Sequence, residues 1–381
     1  MPARILFYVQ HLLGIGHLVR CHRIARALDQ AGFAVTIVSG GVPAGEFDAG
    51  GAAIVQLAPI KAGPEGFSAL VHGDGAPFSD TDKAARRDTL LALFDRLRPD
   101  ILITEAFPFG RRQLRFELLP LLECAMARRD PPLIAASIRD ILQENRKPGR
   151  DAETAALVAR FYDLVLVHGD PAIARLEQSF PLAPAFAQKI AYTGLVAPDP
   201  VATPAQRHGV IVSAGGGAVG AALLTAALAA RPLTALAHEP WLVVSGPNMP
   251  ETDRAALARL AGAGVTLAGF VPDLAARFGA ARLSLSQAGY NTVADVLVAG
   301  CAAVLVPFAA GGETEQSLRA HLMSERGLAV SLPETALEPA AMAAAIGRAL
   351  ALPPRAAGLA LDGAAATARL LAQRLSARRS A

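Results

Sequence analysis

The sequence predicts an α/β protein of two domains, each built on an open parallel β-sheet. Three observations lead to this prediction. The chain has 381 residues, which is more than one hydrophobic core usually serves. Short apolar runs alternate with amphipathic helical patterns in both halves of the chain. The stretch between the halves is rich in proline and lacks a helical period, which is typical of a linker.

The composition excludes several classes of protein. Hydrophobic residues make up 52% of the chain and charged residues 18%, which is typical of a globular protein and not of a disordered one. The 36 Lys and Arg residues and 33 Asp and Glu residues are spread along the chain, so we predict no nucleic-acid partner. The three cysteines have neither zinc-site nor disulfide-framework spacing. We therefore expect a cytoplasmic protein without a metal, and peripheral contact with the inner face of the membrane stays open.

The first half opens with a βαβ unit. Its pattern predicts a strand at Arg4–Val9, a helix at Leu18–Gln30 and a strand at Ala34–Ser39. The segment Gly40–Asp82 is rich in Gly and Pro, and we predict an irregular segment there with one short strand near Ile54–Leu57. Three more buried strands are predicted at Ile101–Thr104, Leu133–Ser137 and Leu164–His168.

The βαβ pattern restarts after the linker. We predict an N-terminal domain at 1–195, a linker at 196–206 and a C-terminal domain at 207–381, whose last helix could pack back on the first domain. The strands of the second half are predicted at Val210–Ser213, Trp241–Ser245, Val265–Ala268, Arg282–Ser286, Ala303–Val306 and Ala329–Ser331. Because ligands of open α/β sheets lie beyond the carboxyl ends of the strands, we expect the site in a cleft that the two domains face.

A glycine loop follows the first predicted strand. It contains Gly14, Gly16, His17 and Arg20 and opens a helix, where backbone N–H groups favour an anionic ligand. A third glycine at the dinucleotide-binding spacing would fall on Val19, so a dehydrogenase is not favoured. His17 could take a proton from an acceptor hydroxyl, or it could bond backbone groups of the turn. The local pattern leaves both roles open.

Two further segments carry candidate site residues. The loop Ser213–Gly220 contains a triple glycine around Gly216, and phosphate binding and tight packing explain it equally well. Arg139 and Asp140 close a predicted strand, where they could bind the acceptor or orient His17. A surface ion pair is the alternative for these two residues.

The most specific segment lies in the second half. It reads Gly-Phe-Val-Pro-Asp-Leu at 269–274, then Ser-Gln-Ala-Gly-Tyr-Asn-Thr-Val-Ala-Asp at 286–295, Val-Pro at 306–307 and Glu-Thr-Glu-Gln at 313–316. In this order the segment resembles the donor-binding signature of the GT28/MurG group of GT-B glycosyltransferases. The opening Gly-Ile-Gly-His-Leu-Val-Arg-Cys is also similar to the N-terminal loop of the PseG nucleotide-sugar hydrolases. The resemblance is sharp over residues 1–31 and 269–330.

The resemblance implies a role for individual residues. Phe270 and Val271 match the segment whose backbone reads the base, and Asp295 matches the acid that binds the ribose, which is usually Glu in the family. The phosphate-binding loop and helix start match Ser286, Ala288, Gly289, Asn291 and Thr292. Glu315 and Gln316 match the donor-sugar contacts, and His17 matches the N-terminal histidine. Taken singly, Asn291 and Thr292 could be plain helix caps, and Asp295 a solvated carboxylate.

The resemblance implies a GT-B fold of two Rossmann-like domains and a glycosyltransferase activity. The expected reaction moves a hexosyl or N-acetylhexosaminyl group from a nucleoside diphosphate sugar, with UDP favoured, to a hydroxyl on a small-molecule, lipid-linked or glycan acceptor. It would be inverting and metal-independent, with His17 as base, Asp140 as a second catalytic residue and no cofactor. A PseG-type hydrolase and a non-catalytic sugar-nucleotide binding subunit are the alternatives.

Overall fold

The chain forms two compact units. The computed structural model describes residues 2–12, 14–45, 47–63, 66–145, 147–215, 219–246, 249–272, 274–353 and 358–380. Unit 1 comprises Met1–Pro171, Leu176–Val196 and Asp362–Ala381. Unit 2 comprises Ala172–Arg175 and Ala197–Leu361. The main passage from unit 1 to unit 2 therefore lies at 196/197, beside the start of the predicted linker.

Unit 1 is built on a seven-stranded sheet in the order β3-β2-β1-β6-β7-β8-β9, in which all paired neighbours are parallel. The strands of this sheet are β1 (Arg4–Val9), β2 (Ala34–Ser39), β3 (Ala53–Gln56), β6 (Ile101–Glu105), β7 (Leu133–Arg139), β8 (Leu164–His168) and β9 (Ile190–Tyr192). A separate hairpin consists of β4 (Ile60–Gly63) and β5 (Gly66–His72). The helices between them are α1 (Gly16–Gln30), α2 (Asp80–Leu97), α3 (Arg115–Met126) and α4 (Arg150–Phe161).

The alternating faces of β1 explain why it lies at the centre of this sheet. Ile5, Phe7 and Val9 belong to the apolar core beside α1, whereas Leu6 and Tyr8 belong to the core beside α2 and α3. A strand that is buried on both faces has a continuous apolar sequence. The predicted boundaries of β1 and β2 are confirmed.

The prediction for Gly40–Asp82 is wrong in two respects. β4 and β5 form an antiparallel hairpin, which is joined to the sheet by hydrogen bonds from the backbone N–H of Ile60 to the carbonyl of Gly40 and from Ala62 to Leu12. In addition, α2 begins within this segment, because Ser79 and Asp82 form a reciprocal capping box. These elements were not predicted because the segment is rich in glycine and other small residues, so its apolar residues show neither a strand nor a helix period.

Unit 2 contains a six-stranded parallel sheet in the order β12-β11-β10-β13-β14-β15. Its strands are β10 (Val210–Ser213), β11 (Trp241–Val244), β12 (Val265–Ala268), β13 (Leu283–Gln287), β14 (Ala302–Val306) and β15 (Val330–Ser331). Its helices are α5 (Ala221–Ala230), α6 (Glu251–Leu260), α7 (Leu274–Ala280), α8 (Tyr290–Ala299), α9 (Glu315–Glu325) and α10 (Pro339–Leu350). The buried Trp241 anchors the core, and its indole N–H donates to the carbonyl of Leu236 over 2.9 Å.

Both sheets have the strand order of doubly wound folds. In such sheets the strand order reverses beside the first strand, and ligands bind outside the carboxyl ends of the strands at this switch point. The switch point lies between β1 and β6 in unit 1 and between β10 and β13 in unit 2. These two pairs of strand ends are therefore the places to look for a site.

The C-terminal helix α11 (Gly363–Ser380) lies in unit 1, where it packs against α1. Ala368, Leu371 and Leu375 of α11 belong to the same apolar core as Leu18 and Ile24 of α1. Across the part of the chain that the structure describes, every helix is too short or too polar to span a membrane.

We expect Leu371→Ala to lower the free energy of unfolding by about 3 kcal/mol, because Leu371 is fully buried between α11 and the sheet. Gln373→Ala, at an exposed position of the same helix, should change it by less than about 0.5 kcal/mol. Urea unfolding of both variants measures the difference. Equal losses would show that α11 does not stabilise unit 1 through this core.

Candidate functional site

The switch point of unit 1 brings His17 and Glu105 together. His17 is the second residue of α1, which follows the loop after β1, and Glu105 is the last residue of β6. The ring Nδ1 of His17 lies 2.9 Å from Oε1 of Glu105. The Glu105 side chain has no solvent exposure, whereas 18% of the His17 side chain is exposed. Nη2 of Arg20 also lies near Nδ1, at 3.2 Å, but the shorter contact is with Glu105. Because an ionised carboxylate only accepts, this contact assigns the proton to Nδ1 and makes the lone pair of Nε2 the basic position of the ring.

Glu105 is held by two further donors. The guanidinium of Arg20, one turn after His17 in α1, bonds Oε1 of Glu105, and the hydroxyl of Ser137 in β7 donates to Oε2 over 2.5 Å. Burial alone would raise the pKa of Glu105. The charge of Arg20 and the hydrogen bonds from His17 and Ser137 outweigh burial and lower this pKa to about 2. Glu105 is therefore a permanent anion with three donors.

The same surroundings keep the His17 ring neutral. Burial and the positive charge of Arg111 lower the pKa of His17 to about 3, although the bond to Glu105 acts in the opposite direction. Arg111 has a left-handed backbone conformation, with φ of 60°, and its Nε donates to the carbonyl of Gln10 over 2.8 Å. Burial and the neighbouring charge of Arg139 lower the pKa of Arg111 to about 10. The carboxyl ends of β1, β6 and β7 thus carry a cationic cluster around one carboxylate.

The structure places Arg139 and Asp140 at the carboxyl end of β7. Asp140 is buried, and its Oδ1 accepts from the backbone N–H of Ile141 over 2.8 Å. The carboxylate that bonds His17 is Glu105, which the sequence did not single out. The catalytic role of Asp140 and the acceptor role of Arg139 stay predictions.

The glycines of the first loop lie directly before His17. A Cβ on Gly14 would meet no atom within 4 Å, so packing within the fold does not require a glycine there. Gly16 is the first residue of α1. The space beside Gly14 leaves the backbone open to a close approach, as predicted for a ligand loop.

The switch point of unit 2 brings a glycine loop and Gln287 together. Gly220 requires glycine because its φ is 114° and a Cβ would lie 2.5 Å from that of Ala214. The side-chain amide of Gln287 lies against both glycines. A Cβ on Gly215 would lie 3.6 Å from its Oε1, and a Cβ on Gly220 would lie 3.3 Å from its Nε2. Among the residues that the structure describes, none bonds the Nε2 of this buried amide. Gly216 itself lies outside the described residues.

The predicted diphosphate segment forms the beginning of α8. Gly289 is the N-cap residue and no side chain caps the helix there, so Asn291 and Thr292 are not N-caps. Asn291, Thr292 and Asp295 are half-buried and lie on one side of the helix, since residues three and four apart share a face. A Cβ on Gly289 would meet nothing within 4 Å. The amino end of α8 is thus open to a ligand.

A buried arginine lies beneath this helix start. Arg319 in α9 has no solvent exposure, and its Nη1 donates to the carbonyl of Ala288 over 2.9 Å. Its Nη2 lies 2.7 Å from Oε1 of Glu315, one turn earlier. Glu315, predicted as a donor-sugar contact, therefore also holds Arg319 against the loop.

The other predicted donor residues surround the same edge of the sheet. The hydroxyl of Ser286 is buried and lies 2.7 Å from that of Ser284, and Oε1 of Gln316 accepts from the backbone N–H of Phe308 over 3.2 Å. The Phe270 ring is 59% exposed. Val271 lines a groove of about 450 Å³ between α7 and strands β10, β11 and β12. The structure brings these residues to the carboxyl end of the sheet, and the role of each stays a prediction.

Reasoning from the sequence missed Glu105, Gln287 and Arg319. Glu105 and Gln287 each directly follow a predicted buried strand at a switch point, the position for which Asp140 was chosen, so the same rule identifies them. Arg319 carries no such signal, because an arginine on a helix is usually solvated. For metals, the described ranges contain no group of three or more His, Cys, Asp or Glu side chains suited to bind an ion.

Comparison with known proteins identifies the second half of the chain. Residues 211–375 match the glycosyltransferase family 28 C-terminal domain. A Ralstonia nicotianae protein, UDP-N-acetylglucosamine--N-acetylmuramyl-(pentapeptide) pyrophosphoryl-undecaprenol N-acetylglucosamine transferase, is 37% identical over 153 residues, which is 38% of this chain and 41% of that protein. The Herminiimonas arsenicoxydans protein of the same name is 36% identical over 124 residues, or 32% of this chain and 34% of that protein. The similarity thus covers less than half of these relatives.

Solved structures resemble the whole chain. The calicheamicin glycosyltransferase CalG4 has a TM-score of 0.62 at 16% identity, and the match covers 100% of this chain and 98% of CalG4. Acinetobacter baumannii MurG has a TM-score of 0.58 at 16% identity, with 100% of both chains covered. These likenesses confirm the predicted fold class, and the family match confirms the predicted resemblance to the GT28/MurG group. The chain thus has the GT-B fold of two Rossmann-like units, and its residues 211–375 are similar to the glycosyltransferase family 28 C-terminal domain.

Proposed function

We propose that this protein transfers a sugar from a nucleoside diphosphate sugar to a hydroxyl acceptor. The observation that carries the proposal is the His17–Glu105 pair at one switch point, together with a family 28 C-terminal domain in the other half. An imidazole whose Nδ1–H is fixed by a buried carboxylate presents Nε2 as a base. Family 28 membership of residues 211–375 supports a nucleotide-sugar donor.

His17 would act on the acceptor. Its Nε2 takes the proton of the acceptor hydroxyl while the oxygen attacks the anomeric carbon of the donor. The bond from this carbon to the phosphate oxygen breaks, and the nucleoside diphosphate leaves with the electron pair. A single displacement of this kind inverts the anomeric carbon. Inversion and independence from a metal are parts of the proposal.

Unit 2 would bind the nucleotide. The backbone N–H groups at the amino end of α8 favour a diphosphate, and the amide of Gln287 offers a donor next to the loop after β10. Asp295, on the same side of α8, would accept from the ribose hydroxyls. By the resemblance, the backbone of Phe270 and Val271 would bind the base, and the exposure of Phe270 leaves room for one there.

The relatives indicate the class of substrate. Their names specify UDP-N-acetylglucosamine as donor and an undecaprenol-linked acceptor. On this basis we propose a UDP-sugar donor and N-acetylhexosaminyl or hexosyl transfer. Small-molecule, lipid-linked and glycan acceptors stay open. A lipid-linked acceptor would require contact between this protein, which we propose is cytoplasmic, and the membrane.

Hydrolysis is the second candidate, because His17 could take a proton from water as well as from an alcohol. The N-terminal loop that resembles the PseG hydrolases supports it. Product analysis separates the two: a hydrolase releases free sugar at the same rate with and without an acceptor.

The central experiment is a screen of UDP-, dTDP-, GDP- and ADP-sugars by thermal shift and product analysis. A bound donor stabilises the folded protein by RT ln(1 + [L]/Kd), about 2.7 kcal/mol when its concentration is 100 times Kd. We expect one nucleotide class to raise the melting temperature and to be consumed when an acceptor is present. Binding without turnover across acceptors and water would instead identify a non-catalytic binding subunit.

We expect His17→Ala to lower kcat by about 100- to 10,000-fold while the donor Kd stays within about twofold, since a general base contributes in this range. His22→Ala is the matched control, because His22 lies on the same helix and bonds the backbone carbonyl of Leu18. This control should lower stability and preserve kcat. Retained turnover in folded His17→Ala would exclude His17 as the base.

We expect kcat/KM to stay constant from pH 8 to pH 5. Protonation inactivates a base, and the lowered pKa of His17, about 3, places this event below the range. A histidine with an ordinary pKa near 6.5 would lose activity about 30-fold between neutral pH and pH 5. A pH profile with that midpoint would contradict the assigned environment of His17.

We expect the double change Asn291→Ala, Thr292→Ala to weaken binding of the cognate nucleoside diphosphate by about 10- to 30-fold, the loss expected for hydrogen bonds to a charged group. Calorimetry on the folded variant measures this loss. Thr234→Ala is the control, because Thr234 precedes β11, on the side of the sheet where the strands begin, and bonds the carbonyl of Arg231. This variant should bind the nucleoside diphosphate with unchanged affinity. Unchanged affinity in the double variant would exclude the start of α8 from the donor site.

A further inference from the structure

The hydrogen bonds of Glu105 continue across the sheet through three more buried side chains. Oγ of Ser137 in β7 lies 2.5 Å from Oε2 of Glu105 and 2.9 Å from Nε2 of His168, the last residue of β8. Nδ1 of His168 lies 2.8 Å from Oγ1 of Thr193, which follows β9. Ser137 and His168 have no solvent exposure, and Thr193 is 4% exposed. Three adjacent strands and the residue after the fourth thus contribute to one chain of side chains.

The direction of this chain follows from counting protons. Glu105 is ionised and can only accept, so the single hydroxyl proton of Ser137 points to Oε2. Oγ of Ser137 must then accept, and Nε2 of His168 carries the proton that it receives. Burial lowers the pKa of His168 to about 3, so its ring is neutral and Nδ1 has the lone pair. The Thr193 hydroxyl lies 2.8 Å from this lone pair and 3.1 Å from the carbonyl of Gly194, and the shorter contact assigns its proton to Nδ1. Every donor in the chain points towards Glu105.

In this arrangement the two carboxylate oxygens of Glu105 have different partners. Oε2 is held by Ser137, and Oε1 faces His17 and Arg20. A carboxylate that is fixed at one oxygen cannot rotate away from its other partners. Hydrogen bonds aligned in one direction also polarise each other, so the chain strengthens the bond that Ser137 makes.

We propose that His168, through Ser137, is a positioning residue that orients Glu105 and thereby holds His17 with its proton on Nδ1. The inference rests on the proposed function, in which the lone pair of Nε2 is the base. His168 and Ser137 touch neither donor nor acceptor in this scheme. They set the tautomer and orientation of the residue that does.

The variants are chosen to separate positioning from packing. Ser137→Ala removes one hydroxyl from the chain, and His168→Phe removes the donor to Ser137. His168→Gln keeps an N–H at the end of the side chain and tests for rescue. Tyr162→Phe is the control, because it removes a buried hydroxyl bonded to Thr104 in the same core, over 2.9 Å, with no bond to Glu105.

Kinetics supply the first measurement. We expect Ser137→Ala and His168→Phe to lower kcat roughly tenfold with an unchanged donor KM, since the loss of one hydrogen bond to a charged group is of this size. His168→Gln should recover most of the loss, and Tyr162→Phe should lower the melting temperature without changing kcat. Equal kcat in wild type, Ser137→Ala and His168→Phe would overturn the proposal.

Nitrogen-15 NMR of histidine-labelled protein supplies the second measurement and needs no turnover. In the wild type we expect the Nδ1–H tautomer at His17 and the Nε2–H tautomer at His168. In Ser137→Ala the His17 signals should move towards a mixture of tautomers, and in Tyr162→Phe they should not move. Unchanged His17 signals in Ser137→Ala would overturn the positioning role. If the signals shift but the donor screen yields no product, the positioning role stands and only the proposed function is wrong.

Discussion

The geometry of unit 1 depends on one ionised carboxylate with no access to water. Moving a carboxylate out of water costs several kcal/mol unless charges and hydrogen bonds replace its hydration. Glu105 obtains them from Arg20 and His17 on one helix and from Ser137 on the neighbouring strand. Because the donors come from different elements, the position of α1 relative to the sheet and the orientation of the histidine are set by the same interaction. The helix α11 also packs against α1, in the apolar core that α1 shares with the sheet.

Unit 2 uses a buried cation in a comparable way. Arg319 is satisfied by Glu315 in its own helix and by the carbonyl of Ala288, and its guanidinium lies 5.8 Å from the ring centroid of Tyr290. Ala288 and Tyr290 flank Gly289, where α8 begins. The arginine thus fixes the loop at the start of α8, and fixed backbone dipoles bind an anion without the cost of ordering a mobile segment.

The sequence was sufficient for the architecture because strands such as β1, β8 and β10 are runs of mostly apolar residues, although the edge strand β12 is partly exposed. β1, β2, β8, β10 and β12 follow the predicted bounds. It was insufficient where small residues or tertiary contacts decide the structure, as in the hairpin of β4 and β5. The short strand β9 also escaped notice, because Ile190–Tyr192 is too brief to show a period.

For the site, the sequence identified individual residues better than the residues to which they form hydrogen bonds. His17 and the start of α8 were found because a glycine loop and a helix start have local signatures. Glu105 bonds His17 across 88 positions of sequence, and Arg319 bonds Ala288 across 31. Such pairs depend on strand order and side-chain direction, which no local pattern specifies. The same distance in sequence separates Ser137 from His168, also 31 positions apart.

The two ends of the long segment 197–361 are held side by side within unit 1. Val196 and Asp362 form an isolated antiparallel bridge, and the backbone N–H of Gly363 donates to the carbonyl of Leu195 over 2.9 Å. A segment that leaves and returns at neighbouring residues is topologically an insertion. One such segment can then be exchanged for another at this pair of junctions while the host sheet and its closing helix keep their own contacts. Under the proposed function, an exchange at these two points would join a different donor domain to the sheet that carries His17.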